Sequence, residues 1–373
     1  VIRFNQRNLV RVLFLSLQAH GRSPSQRYRV EAFEPALRAA GIELIERPVL
    51  TAGDLRVLYG NASPLAKGRI ALAALARRAR SVRPRLRSRP DVVFVQREAF
   101  FLLGAWSEWL ASLQAPIVYD FDDAIWIHAV SEANRRFAFL KNVDKIARIV
   151  GLAHTVIAGN DYLADWARQH ARNVHVVPTC VDTTVFHPAP RPEHGPVVIG
   201  WSGSPTTLEH YKTILPALRR VKARFQDQVR FRLMGAPTFR DDALGLVGED
   251  WSEAAEVPFL QQMHIGLMPL PDDEWTRGKC GLKGLTSMAS GAATVMSPVG
   301  VNTRIVTHGV DGLHASTEDD WVAQLSSLVE DAALRNRLGA AGRERVVGHY
   351  SVQRWAPRLI ELLHIAGSHQ SGD

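Results

Sequence analysis

Along the chain, short runs of β-branched and apolar residues alternate with longer amphipathic stretches. Runs of the first kind fall at residues 10–17, 42–47, 91–96, 117–119, 155–158 and 174–177, and then at 197–201, 229–234, 265–268, 294–297 and 313–315. Segments such as VVFV and TVIA are apolar on both faces, as strands of a buried parallel sheet should be. Helical periodicity occupies residues 27–40, 65–82, 133–150, 207–225, 281–290 and 319–329. This alternation predicts a doubly wound α/β architecture.

It breaks once, at residues 187–196 (HPAPRPEHGP), where four prolines support neither a helix nor a central strand. The break predicts a linker and two Rossmann-like domains, residues 1–188 and 189–350, facing each other across a cleft. After Tyr350 the stretch SVQRWAPRLIELL opens with a serine able to cap a helix, so residues 351–373 are read as a closing helix and tail.

Composition narrows the class. In 373 residues, 46% are hydrophobic and 22% charged, which excludes a disordered or fibrous chain. Two cysteines, Cys180 and Cys280, exclude a disulfide framework. No apolar run reaches the roughly 18–20 residues that span a bilayer, and residues 1–10 lack a secretory core, so a cytoplasmic protein is expected.

The net charge of +8 is unevenly spread: residues 55–90 hold ten bases and no acid. The helix within this segment is expected to pack its apolar face inward and point its arginines outward. Such a surface suits anionic lipid or a lipid-linked phosphate, with reversible attachment to the inner membrane face through residues 65–90. A basic nucleic-acid-binding α/β protein is the alternative, but interleaved aromatics and recognised binding motifs are missing and no nucleic acid is expected.

Ligands of open α/β sheets bind beyond the carboxyl ends of the strands. After the first strand comes His20-Gly21-Arg22-Ser23-Pro24-Ser25, equally readable as an ordinary turn or as a phosphate or sugar loop. After the strand ending at Trp201, Ser202-Gly203-Ser204-Pro205-Thr206-Thr207 opens a helix, where either an anion or a plain Ser/Thr cap fits. In residues 269–291, Gly278 and Gly281 permit close backbone approach, and Lys279 and Lys283 add charge beside a helix start. That combination suits a diphosphate better than a solvated turn. In VYDFDDAIW (residues 118–126), Asp120, Asp122 and Asp123 crowd together, so an apolar site raises at least one pKa. Taken alone, these residues fit a helix cap, a surface acid patch or a metal-binding D-x-D. Gln96, Arg97 and Glu98 end another strand, where an internal Arg–Glu pair would serve equally. His154, His175 and His187 have no metal-ligand spacing.

Residues 269–291, with 293–299, 300–306 and 309–312, resemble the donor-binding half of retaining glycosyltransferases of family 4, which have the GT-B fold. VIAGNDYLADWA, NVHVVPTCVDTTVFHP and LRNRLGAAGRERVVGHYS match in the expected order. The resemblance implies transfer of a sugar, with retention, from a nucleotide-diphosphate sugar to a glycan, a lipid-linked acceptor or a small glycoside, with no metal or other cofactor. Donor binding then falls to Gly21, Ser202, Gly203, Ser204, Lys279, Cys280, Gly281, Leu282, Lys283 and Thr286. Acceptor binding falls to Arg22, Ser25, Arg97 and Glu98, and catalytic contacts to Asp122, Asp123 and Lys279. Two departures stand out. The family's paired glutamates, seven residues apart, are Gly278 and Thr286 here, and its loop arginine and lysine give way to Trp201 and a neutral run. Lys279 and Lys283 would supply the missing cations, Thr286 or Ser287 a ribose contact, and Asp272, Asp273 or Glu274 part of the lost acidity. A non-catalytic relative is the alternative that these departures raise. A dinucleotide oxidoreductase would need G-x-G-x-x-G after a first strand, and neither half has it.

Overall fold

The computed structural model describes residues 9–60, 62–83, 89–127, 144–192 and 194–368. The chain forms two compact units, Val1–Pro178 with Trp355–Asp373, and Thr179–Arg354. The change of unit at 178/179 precedes the proline-rich segment that predicted a border at 188/189. Arg191 of that segment donates to the carbonyls of Gln261, Ser290 and Gly291, which ties it into the second unit instead of leaving it as a linker.

The first unit is built on six parallel strands: β1 (Val10–Phe14), β2 (Ile42–Glu46), β3 (Val92–Gln96), β4 (Ile117–Phe121), β5 (Thr155–Ala158) and β6 (Val174–Val176). Their order is β2-β1-β3-β4-β5-β6. Every residue of β3, β4 and β5 is buried, as their mainly apolar sequences favour, Asp120 of β4 included. Strand order reverses between β1 and β3, so the loops after them diverge and open the crevice where such sheets take ligands. The helix Val352–Ser368 ends in this unit: Arg358 donates to His175, and an added Cβ at Gly367 would touch Val92.

The second unit holds β7 (Val197–Ser202), β8 (Val229–Met234), β9 (Arg240–Asp241), β10 (Leu246–Val247), β11 (Ile265–Met268), β12 (Ala293–Met296) and β13 (Leu313–His314). Five of them form a parallel sheet in the order β13-β12-β11-β7-β8, while β9 and β10 make a small antiparallel pair. Here the reversal lies between β7 and β11. It sets the loop beginning at Ser202 beside the one running from Pro269 to Lys283.

Helices differ from expectation where prolines or unfavourable cappers intervene. Residues 27–40 split into Pro24–Arg29 and Glu34–Ala39, the second carrying Pro35 in its first turn. Residues 207–225 split into Leu208–Lys212 and Leu215–Phe225 around Pro216. Of the helix expected at 133–150, only Asp144–Leu152 falls within the described residues. The basic helix runs Pro64–Ser81, but its arginines do not all point outward. Arg78 is fully buried and donates to the carbonyls of Ser16, Arg47 and Ala99 at 2.7, 3.2 and 2.8 Å. Arg77 donates to Val49 O and to Asp54, each at 2.6 Å. Both arginines brace the fold because their side chains lie on the inward half of the helix. Burial lowers the Arg78 pKa to about 10, against the pull of Glu108.

Candidate functional site

In the first unit, the loops after β1, β3 and β4 bring several expected residues together at the strand-order reversal. Ser25 Oγ donates to Asp122 Oδ1, and Gln96 Nε2 donates to Ser25 Oγ at 2.7 Å. Arg97 adopts a left-handed backbone (φ 62°) and reaches Asp123 at 3.0 Å and Asp122 at 4.0 Å. Burial works against the charge on Arg97, but Asp123, Asp122 and Glu98 outweigh it and hold its pKa above normal. Glu98 lies 3.3 Å from Lys145, and Arg22 is exposed.

The expected raised pKa belongs to Asp120. Burial lifts it above the usual carboxylate range even though Arg29 forks onto both its oxygens and also donates to Val177 O. Asp120 is therefore a bracing residue and Asp122 and Asp123 are the pair beside the loops. Arg29 escaped the sequence reading, although an arginine on the helix after β1 is the natural partner for an acid ending β4. The Gly21 amide donates to the Glu31 carboxylate at 2.9 and 3.0 Å, so that turn is closed by its own side chain.

In the second unit, the loop after β7 is fixed by close packing. A Cβ on Gly203 would lie 2.2 Å from the Trp201 ring, and one on Gly235 would lie 1.8 Å from Gly203 O. The Gly203 amide donates to Met234 O and the Ser204 amide to Thr207 Oγ1, both at 3.0 Å. Ser204 thus begins a capped turn, and its amide and that of Gly203 are occupied within the fold.

The turn after β11 is differently made. The helix Leu282–Ala289 starts at Gly281, whose φ of 73° strains any residue with a Cβ; an added Cβ there would fall 2.0 Å from Ile305 Cδ1. Gly281 brings no capping side chain, although the Gly284 amide in the first turn donates to Met268 Sδ at 3.3 Å, and the macrodipole favours an anion at that end. Lys283 Nζ lies 5.7 Å above the Trp201 ring and Lys279 Nζ 4.7 Å above Trp275, so both ammonium groups are held beside the turn by aromatic faces. Cys280 is buried with Sγ near Gly278 O.

Thr286 and Ser287 are buried, and both hydroxyls donate back to Lys283 O at 3.1 and 2.9 Å, keeping their lone pairs as acceptors. Asp272 pairs with Arg277, and Asp273 caps Glu274–Arg277. His210, which carries no motif, is the addition. Burial, then Lys283 and Lys279, push its pKa down to about 4, only partly opposed by Asp273 and Glu209, and its buried Nδ1 has no hydrogen-bond partner. Among the described residues no cluster of His, Cys, Asp and Glu is placed to hold a metal ion.

Two Rossmann-like parallel sheets, each with polar loops gathered at its strand-order reversal, define the GT-B glycosyltransferase fold class. Residues 196–331, which contain the turn at 279–283, match the family model described as "Glycosyl transferases group 1". Sucrose-phosphate synthase from Thermosynechococcus elongatus superposes with a TM-score of 0.63 at 16% identity, covering 95% of this chain and 98% of that one. A glycosyltransferase from Rickettsia africae gives 0.63 at 12% identity, with 95% and 98% covered. HepE of Anabaena, solved with UDP and glucose, gives 0.60 at 13% identity, with 95% and 99% covered. No curated protein matches this sequence.

Proposed function

We propose that the protein is a retaining glycosyltransferase of family 4 that moves a hexosyl unit from a nucleotide-diphosphate sugar to a hydroxyl acceptor, without a metal. The observation that carries this reading is the uncapped helix start at Gly281, flanked by Lys279 and Lys283 on aromatic faces. The match of residues 196–331 to a glycosyltransferase model supports it, as do the HepE structures with UDP-glucose and with UDP and glucose. In the reaction, the bond between the anomeric carbon and the β-phosphate oxygen breaks and the acceptor oxygen bonds to that carbon. The acceptor proton passes to the departing phosphate on the same face. The lysines and the helix start stabilise the charge that develops on the phosphate, the part a cation plays elsewhere. Asp122 and Asp123, oriented by Ser25 and Arg97, serve hydroxyl contacts, and Arg22, Ser25, Arg97 and Glu98 the acceptor. Peripheral attachment to an anionic membrane through residues 65–90 and a glycan or lipid-linked acceptor in polysaccharide synthesis belong to the same reading.

Thermal shift and titration with UDP, GDP and dTDP test it. At least one nucleotide binds, Lys279→Ala and Lys283→Ala each weaken binding by roughly tenfold or more, and EDTA changes neither binding nor transfer. Unchanged affinity in both variants refutes the site. Gly278 and Thr286, in place of paired acids, favour a second reading, a protein that binds nucleotide and transfers nothing. Binding without any turnover of UDP-, GDP- or dTDP-sugars would establish it.

A further inference from the structure

We propose that the outer face of the basic helix, together with Leu103, forms an apolar wedge that inserts into an anionic lipid surface. The inference rests on membrane attachment of residues 65–90 and reassigns the atoms that make it.

Leu65, Leu72 and Leu103 are 77%, 69% and 69% exposed. Single exposed leucines are commonplace, but these three line one groove of about 560 Å³ with Pro64, Leu75 and Phe100. Leu103 also has a left-handed backbone (φ 63°), beside Gly104 at 68°. That conformation disfavours any residue with a Cβ, and here it holds a large apolar side chain out in water.

Charge selects the occupant. Leu65, Arg69, Leu72, Ala76 and Arg80 recur at helical spacing on the exposed side, and Arg83 follows the helix. Pro64–Ser81 contains no acid. A helix face whose charged residues, within Pro64–Ser81, are all cations complements an anionic bilayer, whereas two copies of it would oppose like charges. Arg77 and Arg78 take no part, because Asp54 and buried carbonyls hold them. Among the described residues no helix is long and apolar enough to cross a membrane, so insertion is shallow.

Sedimentation of the full chain with phosphatidylglycerol–phosphatidylcholine vesicles, and with pure phosphatidylcholine, tests the wedge. Leu65→Ser/Leu72→Ser/Leu103→Ser is expected to weaken binding by about tenfold or more at any salt concentration. Arg69→Ser/Arg80→Ser/Arg83→Ser weakens it chiefly at low salt and flattens the salt dependence. Since Cys180 and Cys280 are buried, Leu72→Cys can carry an environment-sensitive dye whose emission shifts blue on anionic vesicles. Wild-type sedimentation of the leucine variant, with loss only in the arginine variant, overturns the wedge and leaves the membrane reading intact. Failure of the native protein to bind any vesicle overturns both. Equal binding to neutral vesicles removes the electrostatic selection. Leucine-dependent dimers by light scattering, without leucine-dependent vesicle binding, make the face a contact between copies and also overturn the wedge.

Discussion

Replacing Arg78 with Met removes a buried cation while keeping most of the side-chain volume, and its consequence can be worked from the contacts. The drop of its pKa from 12.5 to about 10 corresponds to about 3 kcal/mol disfavouring the charged form. Three carbonyls, of Ser16, Arg47 and Ala99, offset this by accepting its protons. Methionine relieves the first term but leaves the carbonyls without a donor, at roughly 1–3 kcal/mol each. The net loss is about 3 kcal/mol, which lowers the unfolding temperature of the first unit by about 6–12 °C. Differential scanning calorimetry with the two units' transitions resolved reads the shift. Arg78→Lys keeps the charge but cannot span three acceptors, and falls between wild type and Arg78→Met. Arg80→Ser, changed two residues further on at the exposed side of the helix, leaves the transition where it was. Wild-type stability in Arg78→Met would show that the carbonyls find other donors and that the brace is not one.

Gly203→Ala forces a methyl into the Trp201 ring, so the second unit loses about 1–3 kcal/mol in urea unfolding and nucleotide binding weakens with it; unaltered stability would mean that the loop shifts freely. His264, whose Nδ1 accepts from Val198 N–H, has its pKa lowered to about 4 by burial and by Arg191 and Arg335. Its folded pKa lies below the unfolded value of about 6.5, so its contribution is fully present above pH 6.5 and is lost as pH falls from there toward 4. His210 acts with the same sign, and urea midpoints across that window in wild type and His264→Gln measure the effect. Lys283→Met removes a neighbouring positive charge, so the His210 pKa rises in an NMR titration while burial keeps it below 6.5; no movement would place Lys283 away from that ring.

Strands were legible because burial on both faces leaves a chemical trace. All eleven strand segments expected from apolar runs exist, with β5, β8 and β11 at the predicted bounds. The two-residue strands β9 and β10 are too short to leave one. Helices such as Ala52–Tyr59 and Ala332–His349 went unread for a different reason. The second spreads small residues and arginines around its circumference, with Gly339 packed against Gly291 O and Gly342 against Asp311 O, so it shows no apolar stripe. At the candidate site, Gly281, Lys279 and Lys283 could be picked out because a glycine and two cations before a helix are a local pattern. The bracing of Asp120 by Arg29 and the burial of Arg78 were hidden because their partners are 91 and up to 62 residues distant in sequence. Thr286 shows the limit of residue type: its hydroxyl donates to its own helix carbonyl, a bond that composition does not announce.

Trp126 stacks on Trp166 with ring centroids 4.1 Å apart and planes within 4° of parallel, and both rings meet Phe121 edge-on at 6.2 Å. Two indoles held so close and so nearly parallel share their electronic excitations, a few residues from Asp122 and Asp123. The molecule therefore carries its own optical gauge of that loop: any movement that tilts one indole against the other changes the near-ultraviolet circular dichroism with no label attached.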